Sequence, residues 1–184
     1  MEIGCVAHEG GGPCGDFCQT LTVTDVRTGW TENAAVKNKA QKWVLAALID
    51  ITETIPFEVL GIDSDNGSEF INAHLLGWCD YNKLTFTRSR AGRKNDGAHV
   101  EQKNWSVVRR AVGYHRYDTA EELAVLNEIY ALLRVQTNFF AQQQKLIERH
   151  REAAKVTKRY DEAATAPISA SWPNPRSPKR PSSS

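Results

Sequence analysis

Three carboxylates crowd the stretch GIDSDNGSEF, where Asp63, Asp65 and Glu69 surround an Asn-Gly step directly after the apolar run FEVLGI. Carboxylate oxygens are the hard ligands that Mg²⁺ and similar cations prefer. Asp65 falls at the carboxyl end of the strand expected over FEVLGIDSD, where open α/β sheets place their sites. Asn66–Gly67 turns the chain there. A solvated turn would account for one such acid, so a second is needed. NDGAHVEQKNW offers it: Glu101 lies in the first turns of a predicted helix with Trp105, Val108 and Val112 on the same face. That spacing predicts that Glu101 projects from the buried side, where a carboxylate needs a partner and a divalent cation is one way to supply it. A surface ion pair with Lys103 or an arginine is the plainer role for the same residue.

A different chemistry is open to Cys5, His8, Cys14 and Cys18, four soft ligands within fourteen residues that could form a small zinc module. The gaps of two, five and three residues fit no common structural-zinc pattern. Cys18 falls in or beside a strand, where a thiol is an ordinary small apolar residue. His8 is expected to orient backbone in the HEGGGPCG turn.

The elements that would position these residues follow from periodicity. QTLTVTDVRTGWTENAAV alternates about a turn at Arg27–Thr28–Gly29 and predicts a hairpin over 19–35. KAQKWVLAALIDI has helical spacing through Trp43, Ala47 and Ile51. SEFINAHLLGWCDYN predicts a second helix with Ser68 as a candidate N-cap, and LTFTRS a strand. RAGRKNDG is a basic, Gly-containing loop, after which Asn95 or Asp96 would open the helix HVEQKNWSVVRRAV. TAEELAVLNEIYALLRVQTNFF opens on a capping box, Thr119 with Glu122. QQQKLIERHREAAKVTKRYDEA is polar and basic, either helical or an extended arm. The end, ISASWPNPRSPKRPSSS, has the Pro- and Ser-rich composition of disorder. Trp30, Trp43, Trp78 and Trp105 are assigned to the core and Trp172 to the tail. The resulting α/β order is strand, hairpin, helix, strand, helix, strand and helices around a mixed sheet.

At 184 residues, 41% hydrophobic and 24% charged, the chain has the composition of a globular domain. No apolar run is long enough to span a bilayer, and MEIGCVAHEG lacks the pattern of a signal peptide. Four cysteines make no disulfide scaffold, so reduced thiols in the cytoplasm are expected. The net charge of +1 hides an asymmetry: residues 1–81 carry −8 and residues 82–117 carry +7. A basic block beside an acidic half suits a protein that grips a polyanion near carboxylates; a solvated basic face is the alternative.

With these motifs in order, the sequence resembles the retroviral-integrase-like (DDE) catalytic core of insertion-sequence transposases. DSDNGSEF resembles that family's second catalytic Asp, and NDGAHVEQKN its Glu segment. VAHEGG and TLTVTDVRTGWTE look like its first hairpin, KVTKRYDEAAT like its C-terminal extension, and the resemblance covers roughly residues 2–165. It implies a ribonuclease-H-like fold with a mixed five-stranded sheet flanked by helices. The catalytic core would span 1–140, a basic extension 141–166 and a disordered tail 167–184. In the family, three carboxylates hold two Mg²⁺ (or Mn²⁺) ions that activate water or a DNA 3′-hydroxyl against a phosphodiester. The resemblance assigns catalysis and metal binding to Asp65 and Glu101. It lays Arg88, Arg90, Arg93, Lys94, Lys103, Asn104 and Arg109 along DNA, and it implies a homo-oligomer on the nucleoid of a bacterial cytoplasm, away from membranes. His99 could touch a phosphate.

The sequence departs from that family at one position. The first catalytic Asp should stand three residues before the Ala-His pair of VAHEGG, and the residue there is Gly4. Glu2 is two residues away on the same face, and Asp25 matches a non-catalytic position; neither replaces the lost ligand. The expectation is a truncated core of impaired activity, starting at its first strand, with a tail after AAT consistent with a shifted frame. Its alternative is a non-catalytic, DNA-binding or oligomerising remnant.

Overall fold

The computed structural model describes residues 1–90, 97–144, 146–152, 155–160 and 164–171. Its centre is a mixed five-stranded sheet of β1 (Glu2–Ala7), β2 (Gln19–Thr24), β3 (Thr31–Val36), β4 (Gly61–Ser64) and β5 (Thr85–Arg88). The spatial order is β3-β2-β1-β4-β5, antiparallel across β1, β2 and β3 and parallel from β1 through β4 to β5. The β2–β3 turn is local chemistry: Asp25 Oδ2 accepts from the Thr28 backbone N–H and hydroxyl, each at 2.7 Å, and Gly29 supplies the positive φ of 78°.

Alternation along the strands divides the core in two. Ile3, Leu21 and Val23 face α1 (Gln41–Thr54) and α2 (Ala73–Tyr81), joining Val44, Leu48, Leu75 and Phe70. Val6 faces the other way, with Val108, Val112, Leu126 and Tyr130. Those four come from a helical run and from α5 (Ala120–Val135). The run begins as α3 (Ala98–Lys103), widens into a π-helical stretch over Asn104–Arg109, and ends as α4 (Arg110–Val112). The Thr119–Glu122 capping box is present at the start of α5.

Several expectations need correction. Helix α2 starts at Ala73, not near Ser68: Phe70 is buried and holds residues 67–72 in a turn, and Asn72 caps the helix by accepting from Leu75 N–H at 2.8 Å. Gly97, with φ of 80°, precedes α3, while Asn95 and Asp96 lie outside the described residues. The extension is a hairpin of β6 (Leu146–Glu152) and β7 (Lys155–Tyr160), so its helical alternative is set aside. The tail expected to be disordered from residue 167 begins as α6 (Pro167–Ser171), with Ile168 against the first core cluster; Trp172 onward lies outside the described residues. Trp43 and Trp105 are exposed, whereas Trp30 is buried and Trp78 packs on the core.

His8 is fully buried. Its Nε2 lies 2.7 Å from the Thr20 hydroxyl, which is 2.6 Å from the Tyr130 hydroxyl, while Nδ1 has no partner. The HEGGGPCG turn is held by Arg116, which donates to the backbone carbonyls of Gly12, Cys14 and Asp16. Burial, with Arg109 nearby, lowers the His8 pKa to about 4. The unfolded chain therefore binds the extra proton first, near the ordinary imidazole pKa of about 6.5. Stability is fully present above that pH and should decline as pH falls from about 6.5 towards 4. Urea midpoints measured across that interval check this, with a His8→Gln variant expected to show a flatter profile.

Candidate functional site

The parallel pairing of β1 with β4 sets Glu2 opposite Asp63 and Ile3 opposite Ser64. One step further brings Gly4 alongside Asp65, the first residue beyond β4. Asp65 is exposed, and its Oδ1 accepts from Gly67 N–H at 2.8 Å, which closes the Asn-Gly turn. Asp63 is used differently, accepting from the Thr87 hydroxyl at 2.6 Å across to β5. The loops after β4 and β5 are tied together: Ser89 N–H donates to Ser64 O at 2.8 Å, and Asn66 Nδ2 donates to Ser89 O at 3.0 Å.

Helix α3 lies over the same corner. A Cβ at Gly97 would sit 3.7 Å from Ser89 Oγ, and a Cβ at Gly4 would meet both Val100 methyls at 3.4 Å and Asn104 Nδ2 at 3.5 Å. Gly4 is thus the shared neighbour of the Asp65 turn and the helix carrying Glu101. Those are ordinary van der Waals distances, so the notch over Gly4 accepts the stem of a side chain. Asn104 Oδ1 and Ser89 Oγ are buried and unpartnered. Glu2 anchors the helix: its Oε2 accepts from the backbone N–H groups of His99 and Val100, both at 2.9 Å. Free N–H groups at a helix start need such an acceptor, and this geometry removes Glu2 as a stand-in for an acid at position 4.

Glu101 does not project from the buried side. It is exposed, as is Trp105 (60%), while Val100, Val108 and Val112 are the buried residues of the run. The π-helical stretch is the reason. Its wider turn delays the rotation of the helix, bringing Val108 into line with Val100 and leaving Glu101 and Trp105 towards solvent.

The basic residues divide in their use. Arg88 is exposed at the end of β5, and Arg90 is also exposed. Arg109 donates to Ala7 O at 2.8 Å and Gly113 O at 3.1 Å and stacks on Tyr114, which ties the helical run to the end of β1. Lys103 Nζ donates to Gln143 Oε1 at 2.6 Å. Asn104 faces Gly4. Arg93 and Lys94 lie outside the described residues.

Cys5, one of the four candidate zinc ligands, and Glu69, one of the three crowded acids, also belong to this corner. Burial, then the charges of Glu69 and Asp65, push the Cys5 thiol well above its usual range. Cys5 is therefore a neutral thiol and not a ready metal ligand. Among the described residues, no three His, Cys, Asp or Glu side chains converge as a cation site. The Cys5, His8, Cys14 and Cys18 set is thus not assembled as a zinc module. Nor do the acids present fit a two-ion centre, since Gly4 offers no oxygen and Glu2 is engaged by α3.

No family model matches the chain. It is 45% identical over 160 residues to the uncharacterized protein y4rM of Sinorhizobium fredii (strain NBRC 101917 / NGR234), matching 87% of this chain and 46% of that protein. The chain thus spans about half the length of this curated relative. The fold is that of retroviral integrase cores. The catalytic core domain of BIV integrase superposes with a TM-score of 0.58 at 15% identity, covering 77% of this chain and 84% of that one. A chain of the simian T-cell lymphotropic virus intasome, in complex with the PP2A regulatory subunit B56 gamma, gives a TM-score of 0.69 at 9% identity, covering 96% and 55%. The ribonuclease-H-like fold expected from the motifs is therefore present: the mixed five-stranded sheet with helices on both faces is shared. No helix among the described residues is long and apolar enough to cross a membrane.

The geometry separates an anchoring acid from exposed ones. Glu2→Gln should cost about 1–3 kcal/mol, because it weakens the acceptor for two N–H groups, one of them buried. Asp65→Asn and Glu101→Gln should stay within about 0.5 kcal/mol, as surface changes do. Urea unfolding of the three variants checks the ordering.

Proposed function

We propose that the chain is a nucleic-acid-binding core of the integrase and transposase type whose phosphodiester chemistry is impaired at Gly4. The observation that carries this reading is the position of Gly4. It sits beside Asp65 in the β1–β4 register and under the helix of Glu101, with room for a side-chain stem above it. This is where the resemblance places the first of three acids. The integrase folds and the motif order support the assignment, as do the exposed Asp65 and Glu101.

In such a core, Mg²⁺ or Mn²⁺ would supply positive charge to a phosphodiester and to the oxygen that attacks it. Asp65 and Glu101 would be the residues left to hold a cation, with less negative charge than a pair of divalent ions calls for. Arg88 and Arg90, exposed beside the Asp65 turn, would meet phosphates. Binding would then be salt-sensitive and largely indifferent to sequence. The intasome neighbour favours DNA as the partner and an oligomer as the working form. A non-catalytic DNA-binding or oligomerising role is the second form of this reading, favoured by the missing ligand itself.

Calorimetric titration of Mg²⁺ and Mn²⁺ into the chain and into Gly4→Asp, followed by a strand-transfer assay on duplex oligonucleotides, tests the reading. Gly4→Asp should tighten cation binding by about tenfold or more, since affinity follows ligand charge, and should raise strand transfer above the unmodified chain. Equal transfer by both would refute the role given to Gly4. Unchanged cation affinity in the variant would remove Asp65 and Glu101 as partners of position 4.

A further inference from the structure

On the flank of α3 that faces away from Gly4, a groove of about 1150 Å³ opens between the helical run, the β2–β3 turn and the start of the C-terminal extension. That exceeds the roughly 300–1,000 Å³ usual for small-ligand sites, so it suits an extended segment. Its lining is chemically one-sided. Lys103, Arg110 and His99 lie along it, and among the described residues no aspartate or glutamate does. Lys103 is half-buried, and its Nζ donates to a neutral amide, Gln143 Oε1, at 2.6 Å. Burial lowers its pKa to about 8, so the ammonium is costly here without an anion.

Amides make up much of the rest: Gln102 from the helical run lines the groove together with Gln136, Gln142 and Gln143. Each carries a donor and an acceptor, the pairing that matches the edges of nucleobases. Tyr160, 45% exposed at the end of β7, adds a ring at the rim.

We propose that this groove is a second nucleic-acid site that holds a single-stranded segment, with its phosphates on Lys103 and Arg110 and its bases among the glutamines. Unpaired bases present free edges and faces, whereas a duplex turns them inward. An acidic peptide would satisfy the two cations but bring no flat base to the Tyr160 ring. The site is separate from Asp65 and Glu101, and its occupation needs no cation.

The test is fluorescence anisotropy with a short mixed-sequence DNA strand, its duplex and a polyglutamate peptide. It uses the full chain in EDTA, which also separates this result from that of the Gly4→Asp titration. Lys103→Met and Arg110→Gln, checked for folding by urea unfolding, should each weaken single-strand binding by about tenfold, the loss of one charge-assisted contact. Each should also lower the slope of log K against log salt by about 0.7. Bound single strand should slow acylation of Lys103 by an amine reagent, mapped by peptide mass. Single-strand affinity and salt slope unchanged in both folded variants would overturn the proposal. So would duplex or polyglutamate that binds more tightly than the single strand and protects Lys103.

Discussion

The face of β1 that carries Glu2, Gly4 and Val6 determines how the helical run lies on the sheet. Glu2 accepts the first free N–H groups of α3, Gly4 gives Val100 and Asn104 room to approach the strand, and Val6 packs with Val108 one turn further on. These three contacts act along one line at alternate strand positions, so they fix both the height and the direction of the helix. Everything at the corner follows from that seating, including the Ser89–Gly97 approach and the outward turn of Glu101. A buried carboxylate on a helix start is the most costly of the three to lose, because its removal orphans the donors of a helix only six residues long.

How much of this could be read beforehand depended on the range of the interaction. The Thr119–Glu122 box, the Asp25–Gly29 turn and the Asp65 turn are made within four residues of sequence, and each appears where the residue types place it. The face of Glu101 was misjudged because α-helical spacing was carried through a stretch that is not α-helical. Nothing in NWSVVR advertises the wider turn, which arises from tertiary packing that brings Val100, Val108 and Val112 to the sheet together. Helix α2 was misjudged for a related reason: Phe70 sits in the core, and that long-range contact, invisible locally, holds the chain in a turn until Asn72.

Charge was informative in sum and misleading in detail. The basic block over 82–117 suggested a continuous surface for a polyanion, yet two of its arginines work inside the fold. Arg109 joins the helical run to Ala7 O, and Arg116 gathers the carbonyls of the loop between β1 and β2 while pairing with Asp118. Guanidinium groups can do this because five fixed donors reach several carbonyls at once. Other basic residues described fall on two sides of α3. Arg88 and Arg90 lie beside the acidic turn, and Lys103 and Arg110 line the groove, where no acid lies among the described residues.

That partition bears on Gly4 itself. Glycine at position 4 adds no negative charge beside the exposed Asp65. At low cation concentration such acids repel DNA; bound divalent ions reverse the sign. Asn104 lies beside the glycine, and its buried Oδ1 lacks a partner. Its amide Nδ2 lies 3.5 Å from the place of a Cβ, close enough to meet a carboxylate built there, and without one the group is held in a polar notch with its acceptor unsatisfied. Asn104 thus gives the notch over Gly4 a polar wall, and with glycine at that position its acceptor has no side chain to meet.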